Sequence, residues 1–270
     1  MSVEPAAFIV VTQRESAQLT SAMQRLLAAL RDSGGHVVVA GAHIDPRSAG
    51  VAVSASDWIR SATADPLMAY AAGVRSLDRE LPWTRIVLLD DSVVALNPGQ
   101  LLGTLAAAPG LDVASLTMMS RPQPHLHAGC MVFQGPQALQ RGSFFDWWGQ
   151  AEGISERALT DHFAAAGLRV GSMFQPDRAQ CILAVCRALA WGVLPLEVPA
   201  SGPYRGDPDA ALGLDPRVFL WDELMARYGV LSVELLRDPG HPANLVLLRN
   251  WLAANPAAAG IIEQALLPPG

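Results

Sequence analysis

Residues 85 to 98 read RIVLLDDSVVALNP, so an apolar run at 86 to 89 leads straight into Asp90, Asp91 and Ser92. Adjacent carboxylates repel, and each is costly to desolvate unless a cation or hydrogen-bond donors stand beside it. Two readings fit. Asp and Ser are favoured in turns and at helix N-caps, and the same oxygens suit a hard divalent cation carrying a phosphorylated ligand. Ser92 fits either, as a donor to that ligand or as the cap of a turn. His125 and His127 alternate in PHLHAG, so in an extended segment both point the same way. They could ligate a metal, bind a pyrophosphate, or be satisfied by backbone. Asp146 stands between Phe145 and Trp147 in SFFDWWGQ, where apolar neighbours would raise its pKa unless it faces solvent. The aromatics around it, Phe144, Phe145, Trp147 and Trp148, suit core packing or a stacking platform. Cys130 reads as a small core residue.

These residues need elements to hold them. AFIVVTQ, HVVVAG and RIVLLDD are short apolar runs of the kind that form buried parallel strands. Between the first two, Leu19, Met23, Leu26, Leu27 and Leu30 recur at helical spacing over residues 15 to 30, and Gly34 and Gly35 end that helix. A strand, a helix and a strand in this order imply a right-handed βαβ unit and an α/β fold. The stretch 42 to 56 has no period and reads as loop, and 65 to 80 as a helix. In open α/β sheets ligands bind beyond the carboxyl ends of the strands, which is where Asp90 and Asp91 fall. Further on, Pro98 opens a helix, LDVASLTMM and CMVFQ read as strands, and RPQPHLHAG as irregular chain. SERALTDHFAAA is a helix capped by Ser155 and closed by Gly167, LRVGSMF is a late strand, and 178 to 191 is an apolar helix. A loop-like tract at 199 to 216 precedes a mostly helical remainder, which divides the chain into domains at 1–198 and 199–270.

Composition narrows the classes. Over 270 residues, 51 % are hydrophobic and 16 % charged, which is a globular balance with enough chain for a sizeable core. All 19 basic residues are arginine, and the net charge of −6 without a basic run argues against nucleic-acid binding. Three cysteines with no CxxC pair give no disulfide framework, so a cytoplasmic setting is the expectation. MSVEPAAFIVVTQ lacks the form of a signal peptide, and no run reaches the roughly 18 apolar residues of a membrane span. Peripheral contact with the inner face of the membrane stays open, as does assembly into a homo-oligomer.

Three segments in order, RIVLLDDS, GCMVFQGPQAL and SERALTDHFAAAGLRV, resemble a glycosyltransferase of the GT-A type. LLDDSV, HLHAGCMVF and FFDWW, followed by WDELMARYGVLSVELLRDPG, resemble the rhamnan synthesis protein F family of bacterial polysaccharide glycosyltransferases over roughly residues 83 to 255. The family's Asn-x-Gly-x-Asp segment is not visible, and ADPLMAYAAG occupies its place.

The resemblance implies a GT-A-like, mainly parallel sheet flanked by helices with a C-terminal helical extension. It implies transfer of a sugar, such as a deoxyhexose like rhamnose, from a nucleotide-sugar donor to a cell-surface polysaccharide or lipid-linked glycan acceptor. Asp90 and Asp91 would then hold Mn²⁺ or Mg²⁺ with the donor, where the cation offsets charge on the departing diphosphate. Ser92, His125 and His127 would stand on the donor side. An inverting transfer needs a general base. Glu156, in a helix first turn, is the first candidate, although the helix dipole favours an acid there anyway. Asp146 is the second and Asp161 the lesser one. Other readings are a catalytically silent relative that binds glycans or assists assembly, a nucleotide-binding module unrelated to sugars, and an enzyme of this fold with another donor.

Overall fold

The computed structural model describes residues 6–13, 19–44, 55–62, 65–77, 83–107, 110–119, 124–140, 154–191, 214–233, 235 and 242–266. The chain opens with β1 (Ala6–Thr12), α1 (Ser21–Asp32), β2 (His36–Gly41), β3 (Asp57–Arg60), α2 (Pro66–Ser76) and β4 (Arg85–Asp90). Strands β1, β2 and β4 are buried along nearly their whole length, as parallel strands covered on both faces must be. Thr20 caps α1 by accepting from the Met23 amide, and Asp65 caps α2 through the Leu67 amide, with Pro66 just inside.

Next come β5 (Val93–Ala95), α3 (Pro98–Ala106), β6 (Val113–Ser115), β7 (Met118–Met119), β8 (His125–Leu126), β9 (Cys130–Gln134) and α4 (Pro136–Gln140). They are followed by α5 (Glu156–Ala165), β10 (Val170–Ser172) and α6 (Arg178–Ala190). Seven strands form one sheet in the order β10-β6-β9-β4-β1-β2-β3. Within it β9 alone runs antiparallel to its neighbours, β4 and β6. The fold is therefore α/β, with a mostly parallel central sheet flanked by helices. On one face, Val10, Val39 and Leu89 pack with Leu26, Leu27 and Leu30 of α1 and with Leu101 and Leu105 of α3. On the other, Ile9, Val38 and Leu88 pack with Tyr70 and Val74 of α2 and with Leu159 and Phe163 of α5.

The last part holds α7 (Pro216–Phe219), α8 (Trp221–Tyr228), β11 (Val230–Ser232), α9 (Pro242–Ala254) and α10 (Pro256–Leu266). Strand β11 pairs antiparallel with β5, immediately after the acid pair, so the tail is tied to the turn that carries the carboxylates. The expected domain boundary at 198 lies outside the described residues. No described helix is long and apolar enough to cross a membrane.

Several elements depart from the sequence reading. LDVASLTMM is two strands, because after Ser115 the chain leaves β9 and pairs Met118 and Met119 with β8. That pairing also orders His125 and Leu126, read above as irregular. The mostly helical remainder is interrupted at Leu220 (φ −129°), which separates α7 from α8.

Candidate functional site

Parallel strands bring their carboxyl ends to one edge of the sheet. Val11 pairs with Asp90, so Thr12 and Gln13 at the end of β1 lie beside the acids at the end of β4. Because β9 is antiparallel, its amino end meets the same edge. Leu89 pairs with Cys130, and the Asp90 amide donates to Gly129 O at 3.0 Å. Strand β6 delivers Thr117 there as well, where its carbonyl accepts from the His127 amide at 3.2 Å.

The two acids are not equivalent. Asp90 is only 4 % exposed. Its carboxylate accepts from the Ser92 amide at 2.9 Å and from the Ser92 hydroxyl, and the Tyr70 hydroxyl also favours its charged form. Burial is the main reason its pKa rises to about 6, and these hydrogen bonds oppose that rise. Asp91 is half-buried, and one of its oxygens accepts from Thr12 Oγ1 at 3.0 Å and the Gln13 amide at 3.1 Å. Asp90 thus faces into the fold as part of a turn, while Asp91 faces the edge. Gly129 is required here, since a Cβ would collide with Ser92 Oγ and come 3.2 Å from Asp90 Oδ1.

His125, His127 and Glu156 form a second group, with one ligand atom of each within 4.8 Å of the others. Glu156 begins α5, whose N-cap Ser155 accepts from the Ala158 amide. One carboxylate oxygen of Glu156 accepts from the Ala128 amide at 2.6 Å. His127 is buried, and its Nδ1 lies 2.7 Å from Thr117 Oγ1. Burial, then the Arg217 cation, lowers its pKa to about 4, so the ring is neutral at physiological pH.

One residue joins the two groups. Ala128 gives its amide to Glu156, and its carbonyl accepts at 3.2 Å from the Tyr70 hydroxyl, which also acts on the Asp90 carboxylate. A small cavity of about 20 Å³ lies alongside, lined in part by Ser92, Thr117, His127 and Arg217. Burial pushes the Cys130 thiol up to about 12, which leaves an inert core sulfur.

The structure therefore brings Asp90, Asp91 and Ser92 together, and brings His125, His127 and Glu156 together beside them. Asp146 and the aromatics around it lie outside the described residues. Asp161 is exposed and pairs with Arg157 at 3.7 Å. Sequence reasoning did not single out Thr12, Gln13, Tyr70, Thr117 or Arg217. The polar pair that ends β1 was a signal for the first two. For Tyr70 and Thr117, set in apolar stretches, only the packing reveals the contact.

No family model matches the chain, and no curated protein matches it in sequence. Solved structures do match. The mannosyltransferase PcManGT from Pyrobaculum calidifontis, in complex with GDP-Man and Mn²⁺, is 14 % identical over 97 % of this chain and 84 % of its own, with a TM-score of 0.45. The glycosyltransferase GlyE of Streptococcus pneumoniae is 11 % identical over 85 % of this chain and 65 % of its own, at 0.39. A Drosophila β-1,4-galactosyltransferase 7 mutant, complexed with manganese, UDP-Gal and xylobiose, is 12 % identical over 64 % of this chain and 66 % of its own, at 0.35. These are distant structural matches to nucleotide-sugar glycosyltransferases. At such identities and TM-scores, what this chain does must be argued from its own residues.

Proposed function

We propose that the chain is a glycosyltransferase that takes a sugar from a nucleotide-sugar donor at the carboxyl edge of its sheet. The observation that supports this most is the division of labour between the two acids. A buried, internally bonded Asp90 fixes the turn, so the neighbouring Asp91 is presented at the edge where α/β sheets bind ligands. A hard cation bound through one carboxylate and the ligand's own phosphates suits that single presented acid. Asp91 would hold Mn²⁺ or Mg²⁺, and the bound ion would offset the charge of a departing diphosphate. Thr12 and the Gln13 amide orient Asp91, while Ser92 keeps Asp90 in place.

Glu156 is the base of this reading. The Ala128 amide holds one of its oxygens, so the other is aimed rather than free to rotate, and the half-buried carboxylate can receive a proton from an acceptor hydroxyl. Following the segment resemblance, the donor is a deoxyhexose nucleotide such as dTDP-L-rhamnose, transferred with inversion to a growing surface polysaccharide. The neutral His127 and the half-buried His125 flank the same carboxylate.

The test is a melting experiment. A nucleoside diphosphate with Mn²⁺ should raise Tm, because a ligand that binds only the folded state stabilises it. Asp91→Asn should abolish the rise while the unliganded protein melts as before. A panel of dTDP, UDP and GDP sugars then identifies the donor. An equal rise in the variant would overturn the assignment of Asp91.

A further inference from the structure

The second group of side chains is built in a way that the transfer reaction does not require. Residues 125 to 128 are docked on the first two turns of α5 by alternate amides. Leu126 N–H donates to Thr160 Oγ1 at 2.9 Å and Ala128 N–H to Glu156 Oε1 at 2.6 Å. Thr160 and Glu156 stand one turn apart, and the Thr160 hydroxyl donates back to Glu156 O at 2.7 Å. His125 and His127, two residues apart in extended chain, then share the side on which Glu156 lies. The hydroxyl of Thr117, a residue 1 % exposed, holds His127 Nδ1 at 2.7 Å. That engages one ring nitrogen and leaves Nε2 to coordinate, the usual arrangement behind a metal-bound imidazole.

We propose that His125, His127 and Glu156 form a binding site for a divalent cation of the zinc class, separate from the one assigned to Asp91. Two imidazoles and one carboxylate are the donor set of three-ligand zinc sites with an open fourth position. Two nitrogen donors also disfavour Mg²⁺ and Ca²⁺, which take oxygen. The three ligand atoms lie within 4.8 Å of one another, and a tetrahedral ion with ligands at about 2.1 Å would draw them to about 3.4 Å. Glu156 is held by the Ala128 amide, so the half-buried His125 is the side chain an ion would draw inward. On the reading proposed above, a filled site would occupy the base and so inhibit transfer; the binding itself does not depend on that reading.

The experiment uses the full chain, untagged and stripped with chelator, with no nucleotide present. Zn²⁺ is titrated calorimetrically, and Co²⁺ is followed by visible absorption. One equivalent of Zn²⁺ should bind, and Co²⁺ should give the intense bands of a four- or five-coordinate site. His125→Gln and Glu156→Gln should each weaken Zn²⁺ by tenfold or more with the fold intact by circular dichroism. Thr117→Val, which removes only the group behind His127, should weaken it about 10- to 100-fold. Asp91→Asn should leave it unchanged, so failure of this site and failure of the donor site are told apart. No bound equivalent, affinity unchanged in His125→Gln, or loss of binding on Cys186→Ser at the exposed thiol would each overturn the proposal.

Discussion

Glu156 sits where two physical effects ask for the same residue. A helix N-terminus favours an acid by roughly 0.3–1 kcal/mol, and a transferred hydroxyl proton needs a base worth about 10²- to 10⁴-fold in rate. Glu156→Gln keeps the size and the contact with the Ala128 amide but cannot take a proton. On the proposed reading, kcat falls by that factor with donor affinity nearly unchanged, since only a transition-state interaction is lost. A purely helical role would instead cost a few tenths of a kcal/mol in stability and leave turnover intact, so steady-state kinetics and a melt on one variant separate the two. At this scale the sequence was informative about types and silent about direction. Asp90 and Asp91 are chemically identical in RIVLLDDS, and only the fold turns one inward and the other outward. Thr12 is unremarkable in AFIVVTQ until the register of β1 on β4 sets it beside Asp91.

The elements were most legible where they are buried on both faces. The runs in β1, β2 and β4 have no polar interruption, because parallel strands under two helical layers leave no wet side. Strands β5 and β11, three residues each, exist only because they pair with each other across more than 130 positions, and no local pattern announces that. Helix α2 carries its own test of packing. Gly73 lies so close to β1 that a Cβ would collide with Ile9 Cγ2. By propensity, Gly73→Ala should stabilise the helix by about 1 kcal/mol; by overpacking, it should cost about 1–3 kcal/mol. The collision is with a fully buried β-branched side chain and cannot be relieved by rotation into solvent, so net destabilisation is expected in urea unfolding. In an Ile9→Ala background, the same change should turn neutral or stabilising, and a double-mutant cycle reads that coupling directly.

Across the whole molecule, the edge opposite the site is held by charge. Arg169 donates its backbone and guanidinium N–H groups to Asp112 at 2.8–3.1 Å, joining the amino ends of β6 and β10. Those bonds hold the Asp112 carboxyl below its ordinary value. The folded state therefore binds that proton more weakly than the unfolded chain. The stabilisation is complete above the unfolded value of about 4 and is lost as pH falls through the lowered folded one. Wild type should melt above Asp112→Asn at pH 6, and the gap should close below about pH 4. The effect will be modest and salt-sensitive, because the Arg169 side chain is 68 % exposed.

The C-terminal part reaches the site by a route that can be cut at one residue. Leu231, 1 % exposed, packs with Trp221, Leu235, Leu248 and Ile262 and stands opposite Val94 in the β5–β11 pair. Two positions along, just past β11, the Val233 amide donates to Ser92 O at 2.8 Å, so the tail holds the backbone of the residue that fixes Asp90. Leu231→Ala should cost about 2–5 kcal/mol, roughly 4–20 °C in Tm. Leu30→Ala is the matched control, since Leu30 is equally buried but near the far end of α1, away from the carboxyl edge. If β11 helps to present Asp91, the rise in Tm given by nucleoside diphosphate with Mn²⁺ should shrink in Leu231→Ala and persist in Leu30→Ala. Equal rises in the two variants would confine the tail to a stabilising role and leave β1 and β4 to hold the acids alone.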